Sequence, residues 1–249
     1  MDTRKLFCAG FKPAARYAGR RLESLGVPIT YQPSSEVGSV LLDVPSFNAE
    51  GLLHSGESID SLLAKLPKDI CIYGGNLNHP SLQQYRTVDL LQDPDYLAQN
   101  AYITAECALD VALPYLPITL RGCPCLIIGW GRIGKCLGQI LKTIGADVTI
   151  AVRKNTDRAM IRALGCESVD TLYIEEYIDR YRLIFNTVPV PLLSTTQTQK
   201  CHPDCVKIEL ASKNGIEGDD VILARGLPGI HMPESSGNLI AETLLNYDL

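Results

Sequence analysis

The stretch Leu126–Gly138, "LIIGWGRIGKCLG", decides how this chain is read. A short apolar run with the character of a buried strand leads into Gly129, Gly131 and Gly134 at GxGxxG spacing, and the apolar residues that follow recur at helical intervals. Taken alone the glycine spacing is a weak signal, because any tight strand-to-helix turn can use it. Its surroundings are informative. The helix of "GKCLGQILKTIG" runs to Gly145 in the position of a C-cap, and "ADVTIAV" follows as a second strand, so the glycines sit inside a βαβ unit. There Gly129 permits the tight turn, Gly131 lets the backbone approach a pyrophosphate, and Gly134 lets helix and strand pack closely. The helix start adds free N–H groups and a positive dipole end. Gly129, Trp130, Gly131, Arg132, Ile133 and Gly134 are therefore expected to hold a dinucleotide.

The second strand of the unit bears on which dinucleotide. Selection of NAD usually uses an Asp or Glu about 20 residues past the fingerprint, hydrogen-bonded to the ribose 2′-OH. This chain has "TIAVRKNTDR" there, with Arg153 and Lys154 at the strand end, a pair that would attract a 2′-phosphate. NADP is the expected cofactor. Further on, "FNTVPVPLL" places Asn186, Thr187 and Pro189 at the C-terminal end of a strand, the edge where open α/β sheets bind ligands. The amide and hydroxyl are expected to hold the nicotinamide ribose.

Outward from this core, the grammar repeats. "RKLFCAG", "VPITYQ", "VGSVLLDVP" and "DICIYGG" read as strands, with "PAARYAGRRLESLG" as a helix, so the first part of the chain is expected to form a parallel α/β lobe. Apolar residues at Leu97, Ala101, Ala105, Ala108, Leu109 and Ala112 predict a crossover helix ending near Pro114. Past the fingerprint, "DRAMIRALG" reads as a helix, "RLIFNTV", "CVKIELAS" and "DDVILARGLPG" as strands, and "SSGNLIAETLLNYDL" as a final helix with a Ser N-cap. The expected architecture is α/β, two Rossmann-like lobes with parallel sheets: residues 1–95 as a substrate-binding lobe, and residues 96–249 as the nucleotide lobe including the crossover and C-terminal helices. The cleft between them is the expected active site.

Composition removes several function classes. Among the 249 residues, 46% are hydrophobic and 20% charged, and no apolar run has the length of a membrane span. The formal net charge of −5, without a basic run, argues against a nucleic-acid partner. The nine Cys are odd in number and scattered through apolar segments, which fits buried thiols in a reducing cytoplasm, and the N-terminus lacks the pattern of a secretory signal. "CHPDC" at Cys201–Cys205 has no second cluster at zinc-site spacing, so no metal is expected.

A series of segments in one order resembles the A component of dipicolinate synthase, an enzyme of sporulation. It comprises "YITAEC", "IIGWGRIGKCLG", "GADVTIAVRK", "IFNTVPVPLL", "IELASKNG" and "GLPGIHMPESSG", with "AARY", "LLDVPSF" and "IYGGNLN" in the first lobe. The resemblance implies NADP-dependent oxidation of dihydrodipicolinate, formed when 4-hydroxy-tetrahydrodipicolinate loses water, to pyridine-2,6-dicarboxylate. It also implies a small dicarboxylate substrate and the flavoprotein-like B component of dipicolinate synthase as partner; a homo-oligomer is expected as well. For a dianionic substrate, Arg16 is the leading cationic candidate, with Ser46, Asn76 and Thr104 as hydrogen-bond donors, and Asn100 and Glu106 on the crossover helix facing the cleft. No catalytic proton acceptor is assigned. The chain departs from the family pattern at Glu209–Gly215, "ELASKNG", where Asp-Leu-Ala-Ser and a Pro-Gly-Gly turn are expected, and at Glu234, where a cation is usual.

Two other functions fit parts of the same sequence. A D-2-hydroxyacid-dehydrogenase-like oxidoreductase would need a His–carboxylate dyad, and His54, His79, His202 and His231 are not spaced for one. A regulatory protein that senses NADP without turnover needs only the nucleotide site, since fold alone does not fix function.

Overall fold

The computed structural model describes residues 4–247. The chain divides into two compact units: the first runs to Asn100 and resumes at Pro228, and the second is Ala101–Leu227.

The first unit contains β1 (Lys5–Cys8), α1 (Pro13–Ser24), β2 (Ile29–Thr30), β3 (Val37–Leu41), α2 (Ile59–Leu63), β4 (Cys71–Gly74) and β5 (Arg86–Asp89). All its strands are parallel, in the order β2-β1-β3-β4-β5. Strands β3 and β4 are apolar and buried because a parallel sheet is covered on both faces. Val37, Val40, Leu42, Ile59, Leu62 and Ile72 lie together in its core. Strand β5 escapes sequence reading because it is an edge strand, "RTVD", whose first two residues are exposed.

Helix α3 (Pro94–Ala112) begins in the first unit and continues into the second. It is followed by β6 (Pro124–Ile128), α4 (Arg132–Ile144), β7 (Asp147–Ala151), α5 (Asn155–Ala163), β8 (Glu167–Val169), β9 (Leu183–Asn186), α6 (Thr195–Thr198), β10 (Val206–Glu209) and β11 (Val221–Leu223). The six strands are parallel in the order β11-β10-β9-β6-β7-β8. Chain order therefore reverses between β6 and β9, the topological switch point at which this fold class binds dinucleotides. Helix α4 buries Gly134, Leu137, Gly138 and Leu141 on one face, and it ends at Gly145, whose φ of 92° is the left-handed conformation expected of a glycine cap.

Two expectations about the C-terminus are corrected. After α7 (Leu227–His231), the final helix α8 (Pro233–Leu244) starts before the serines, with Met232 at the cap and Pro233 in the first helical position. Ser236 lies buried inside the helix. In addition, α8 packs on α1 in the first unit and not within the nucleotide lobe. A Cβ on Gly237 would come within 2.5 Å of Ala14 O and of Tyr17 Cβ, so only glycine permits that helix–helix approach. Tyr247 Oη donates to Asp93 Oδ2 at 2.6 Å and ties the chain end to the cap of α3.

Candidate functional site

The three fingerprint glycines of the second unit occupy three different environments. Gly129 has φ 108°, and a Cβ there would meet Thr187 Oγ1 at 2.4 Å and Val188 Cγ2 at 2.7 Å. A Cβ on Gly134 would stand 2.3 Å from Gly129 O, so the first turn of α4 lies against the backbone it has just left. Gly131 has no neighbour within 4 Å on its Cβ side. The middle glycine therefore leaves open space above the turn, and the outer two make the turn tight. Gly131 is also the N-cap of α4 and supplies no side-chain acceptor, so the first-turn N–H groups, which a helix cannot satisfy internally, face that opening. Arg132 is exposed beside them and Ile133 is half-buried. The Trp130 ring lies near Gly138 and under Lys135 Nζ, which is 6.0 Å from its centroid, so this side chain covers α4 while its backbone forms the loop.

At the end of β7, Arg153 and Lys154 are exposed and make no ion pair among the described residues. Their placement is fixed from beneath by Arg158. Its guanidinium donates to Val152 O and Arg153 O, each at 2.8 Å, and to Asp170 Oδ2 at 2.7 Å. One arginine thus braces the strand end, and the two cations beyond it stay uncommitted.

The expectation for Asn186 is corrected. Its side chain is fully buried, and Nδ2 donates to both carboxylate oxygens of Glu209 at 2.9 Å and to Val188 O at 3.0 Å. Its Oδ1 accepts from Val188 N at 3.1 Å. No hydrogen-bonding capacity of the amide faces outward, so Asn186 shapes the strand end and does not hold a ribose. Thr187 Oγ1 donates to Ile128 O at 2.9 Å and packs on Gly129, while Pro189 is exposed at the rim. Sequence reading missed the partner, Glu209, which is also fully buried and accepts from Ala211 N, Gly215 N and Ile216 N at 2.7–3.0 Å. The "ELASKNG" departure is thus a loop wrapped around one carboxylate. Gly215 is required in it, since a Cβ would come within 2.4 Å of Asn186 Nδ2. A Glu at the C-terminal end of the strand "VKIE" was the available signal.

In the first unit, the candidate residues gather at the C-terminal ends of β1, β3 and β4. Asp43, buried after β3, accepts from Phe11 N at 3.0 Å and Lys12 N at 2.9 Å, and so fixes the loop that launches α1. Ser46 is completely buried. Its hydroxyl donates to Asp43 O at 2.8 Å and accepts from Gly75 N at 3.1 Å, so its expected role as a donor to substrate is corrected to that of a brace. Gly74 makes room for that hydroxyl, which would stand 2.4 Å from a Cβ. Asn76 comes next to this brace. It is exposed, with φ 59°, a conformation Asn tolerates better than most residues, and Asp89 holds its N–H at 3.0 Å. Arg16 is exposed on α1, its guanidinium 5.9 Å from the Phe11 ring centroid. Asp43 and Asp89, each holding loop N–H groups at a strand end, are the framework that motif reading passed over.

On α3, Asn100 and Thr104 are half-buried and engaged in interactions, and Glu106 is exposed. Glu234 lies in the first turn of α8, where a negative charge complements the helix dipole, a local reason for an acid at this position. His54 Nε2 is 3.1 Å from Pro45 O, and His79 stacks on Phe47 at 5.0 Å while Nδ1 accepts from Ser81 N. His202 stands 3.9 Å from Asp204 on an exposed loop, and His231 is exposed. Cys201 and Cys205 turn into the core, and no group of three metal-ligating side chains occurs among the described residues. No helix of the described residues is long and apolar enough to cross a membrane.

No family model matches the chain. Over 231 residues, 85% of this chain and 78% of the relative, it is 24% identical to the A component of dipicolinate synthase of Bacillus subtilis. Over 79 residues, about a third of either chain, it is 32% identical to shikimate dehydrogenase (NADP(+)) of Clostridium botulinum. The crystal structure of the A component of dipicolinate synthase from Bacillus halodurans superposes with a TM-score of 0.84, covering 98% of this chain and 97% of that one at 22% identity. In sequence over most of its length, and in fold over nearly all of it, this chain resembles the A component of dipicolinate synthase.

Proposed function

We propose that this chain is an NADP-dependent oxidoreductase of the dipicolinate synthase type, equivalent to the A component of that enzyme and oxidising dihydrodipicolinate to dipicolinate in the cytoplasm of a sporulating cell. The observation that carries the cofactor reading is the end of β7. Two uncommitted cations stand there, braced by Arg158, beside a fingerprint turn whose middle glycine opens onto free helix N–H groups. These residues fit a phosphate-rich ligand: Gly131 and the first turn of α4 would receive the pyrophosphate, and Arg153 and Lys154 a 2′-phosphate. The shikimate dehydrogenase relative is named for NADP(+), which supports the same choice.

The bound cofactor supplies a hydride acceptor. Dihydrodipicolinate loses a hydride and a proton and becomes an aromatic ring, so the products are dipicolinate, NADPH and one proton. Aromatisation favours the reaction, and the protein's task is chiefly positioning. Arg16 serves as a carboxylate anchor, with Asn76 as a polar contact, while Asp43, Ser46 and Asp89 keep the strand-end loops of the first unit in place. The glycine turn, with Thr187 packed on Gly129 and Pro189 at the rim, shapes the nicotinamide side of the nucleotide site. The resemblance further implies a separate flavoprotein-like B component as partner, and a homo-oligomeric assembly is part of the same proposal.

The test is dipicolinate formation from enzymatically generated 4-hydroxy-tetrahydrodipicolinate, following product and NADPH, with NAD and an Arg153→Ala variant in parallel. Product with a preference for NADP that the variant loses is the expected result. NADP binding without product, in the presence and absence of a B component, would replace the enzyme by a nucleotide-sensing protein, and equal use of NAD would remove the role of Arg153.

A further inference from the structure

We propose that Arg16 and Arg20, with the hydroxyl of Tyr31, form a two-point receptor for a small dicarboxylate in the first unit, one carboxylate on each guanidinium. This rests on the reading of Arg16 as a carboxylate anchor and adds the second point. The receptor is a cavity of about 580 Å³ between the C-terminal end of β1 and the outer face of α1, within the size range of small-molecule sites. Arg16, Arg20, Glu23 and Tyr31 line it, together with the Gly10–Phe11 turn. Four residues apart, the two arginines project from one helix face on successive turns.

Each guanidinium lies 5.9 Å from the centroid of an aromatic ring of its own neighbourhood, Arg16 at Phe11 and Arg20 at Tyr17. A cation–π contact of this kind draws a guanidinium toward the ring face and leaves its N–H groups available for bidentate contact with a carboxylate. Neither arginine makes an ion pair among the described residues, although Glu23 lines the same cavity. The other acid near the turn, Asp43, is engaged by Phe11 N and Lys12 N. Two like charges on adjacent turns repel one another, and an anion with two carboxylates neutralises both.

Tyr31 supplies an oriented donor. Its hydroxyl sits over Gly19, where a Cβ would come within 3.1 Å of it, and it makes no hydrogen bond among the described residues. Burial raises its pKa, so the phenol keeps its proton. The adjacent Cys8 thiol donates to Ala15 O and is pushed up to about 11, chiefly by burial, so it brings no negative charge to the cavity at neutral pH.

The test is calorimetric titration of the full chain with pyridine-2,6-dicarboxylate, benzene-1,3-dicarboxylate and the monocarboxylate pyridine-2-carboxylate, in the wild type and in Arg20→Gln and Tyr31→Phe, with NADP affinity as a check of folding. The wild type should prefer the dicarboxylates at least about tenfold, the scale of one added charge-assisted contact. Arg20→Gln should erase that preference while leaving NADP affinity unchanged, and Tyr31→Phe should weaken both dicarboxylates. Absence of dicarboxylate binding by the wild type, or an undiminished preference in Arg20→Gln, would overturn the receptor. Arg20-dependent binding in a chain that forms no dipicolinate would keep the receptor and overturn the reaction, so the two readings fail separately.

Discussion

Replacing Glu209 by Gln preserves side-chain shape while it removes the charge and turns one acceptor oxygen into a donor NH₂, so it tests what one buried carboxylate contributes. Oε1 accepts from Asn186 Nδ2 and Ala211 N, each at 2.9 Å. Oε2 accepts from Asn186 Nδ2 at 2.9 Å, Gly215 N at 2.7 Å and Ile216 N at 3.0 Å. A glutamine with its NH₂ at the first position opposes two donors; with its NH₂ at the second it opposes three. Asn186 has no compensating flip, because its Nδ2 and Oδ1 are also bonded to Val188 O and Val188 N. In the better orientation Asn186 Nδ2 keeps the remaining oxygen and Val188 O, and Ala211 N alone loses its acceptor, so at about 1–3 kcal/mol for an unsatisfied buried donor the cost is about 1–3 kcal/mol. The single tryptophan, Trp130, lies in the second unit, so its fluorescence during heating reports that unit alone. This matters because a chain of two units need not unfold in one step. The expected Tm decrease is on the order of 10 °C. A decrease matching less than ~1 kcal/mol would refute the claim that the carboxylate holds the 210–216 loop.

Three further predictions address the glycines, the cofactor cations and the chain end. Gly131→Ala should melt like the wild type, since its Cβ meets nothing within 4 Å, yet bind NADP about tenfold more weakly by titration; Gly134→Ala, whose Cβ would stand 2.3 Å from Gly129 O, should lose both stability and binding. Equal effects of the two substitutions would contradict the division of roles. Neutralising Arg153 and Lys154 together should remove the salt dependence of NADP affinity and leave that of NAD little changed, because exposed charges are screened by salt; a retained salt dependence places the phosphate contact elsewhere. Tyr247→Phe should destabilise the first unit by about 0.5–1.5 kcal/mol at pH 7. The Tyr247 hydroxyl, followed by the N–H groups of Tyr96 and Asp95, lowers the Asp93 pKa. The stability linked to this depressed carboxyl is present above its unfolded pKa of about 3.9 and is lost as pH falls through the lower folded value. The difference between wild type and Tyr247→Phe should therefore shrink in acid, and urea titrations at pH 7 and below pH 3 would show whether it does.

The strands and helices that sequence patterning located are those whose signals are local. Buried parallel strands such as Pro124–Ile128 are continuous apolar runs, and α4 announces both its start and its glycine cap. Strands Arg86–Asp89 and Glu167–Val169 were not legible, because edge strands bear exposed charged residues that read as loop. Among site residues, the glycines were legible because each is constrained by the backbone within a few positions. Ser46 and Asn186 were misjudged because a polar residue at a strand end looks the same whether it faces a ligand or a neighbouring loop.

By itself, the sequence determined the succession of strand, turn and helix, the dinucleotide-type turn at Gly129–Gly134, and the placement of Arg153 and Lys154 at a strand end without an acid. These follow from periodicity and turn chemistry, which act over a few residues. Tertiary structure alone decided that Asn186 and Ser46 face inward, toward partners 23 and 29 residues away in the chain. It also decided that the final helix packs on α1, and that Arg20 and Tyr31 share a cavity with Arg16. A hydrogen bond or packing contact between distant residues leaves no fixed spacing in the chain, so it becomes readable only once the sheets bring the strand ends side by side.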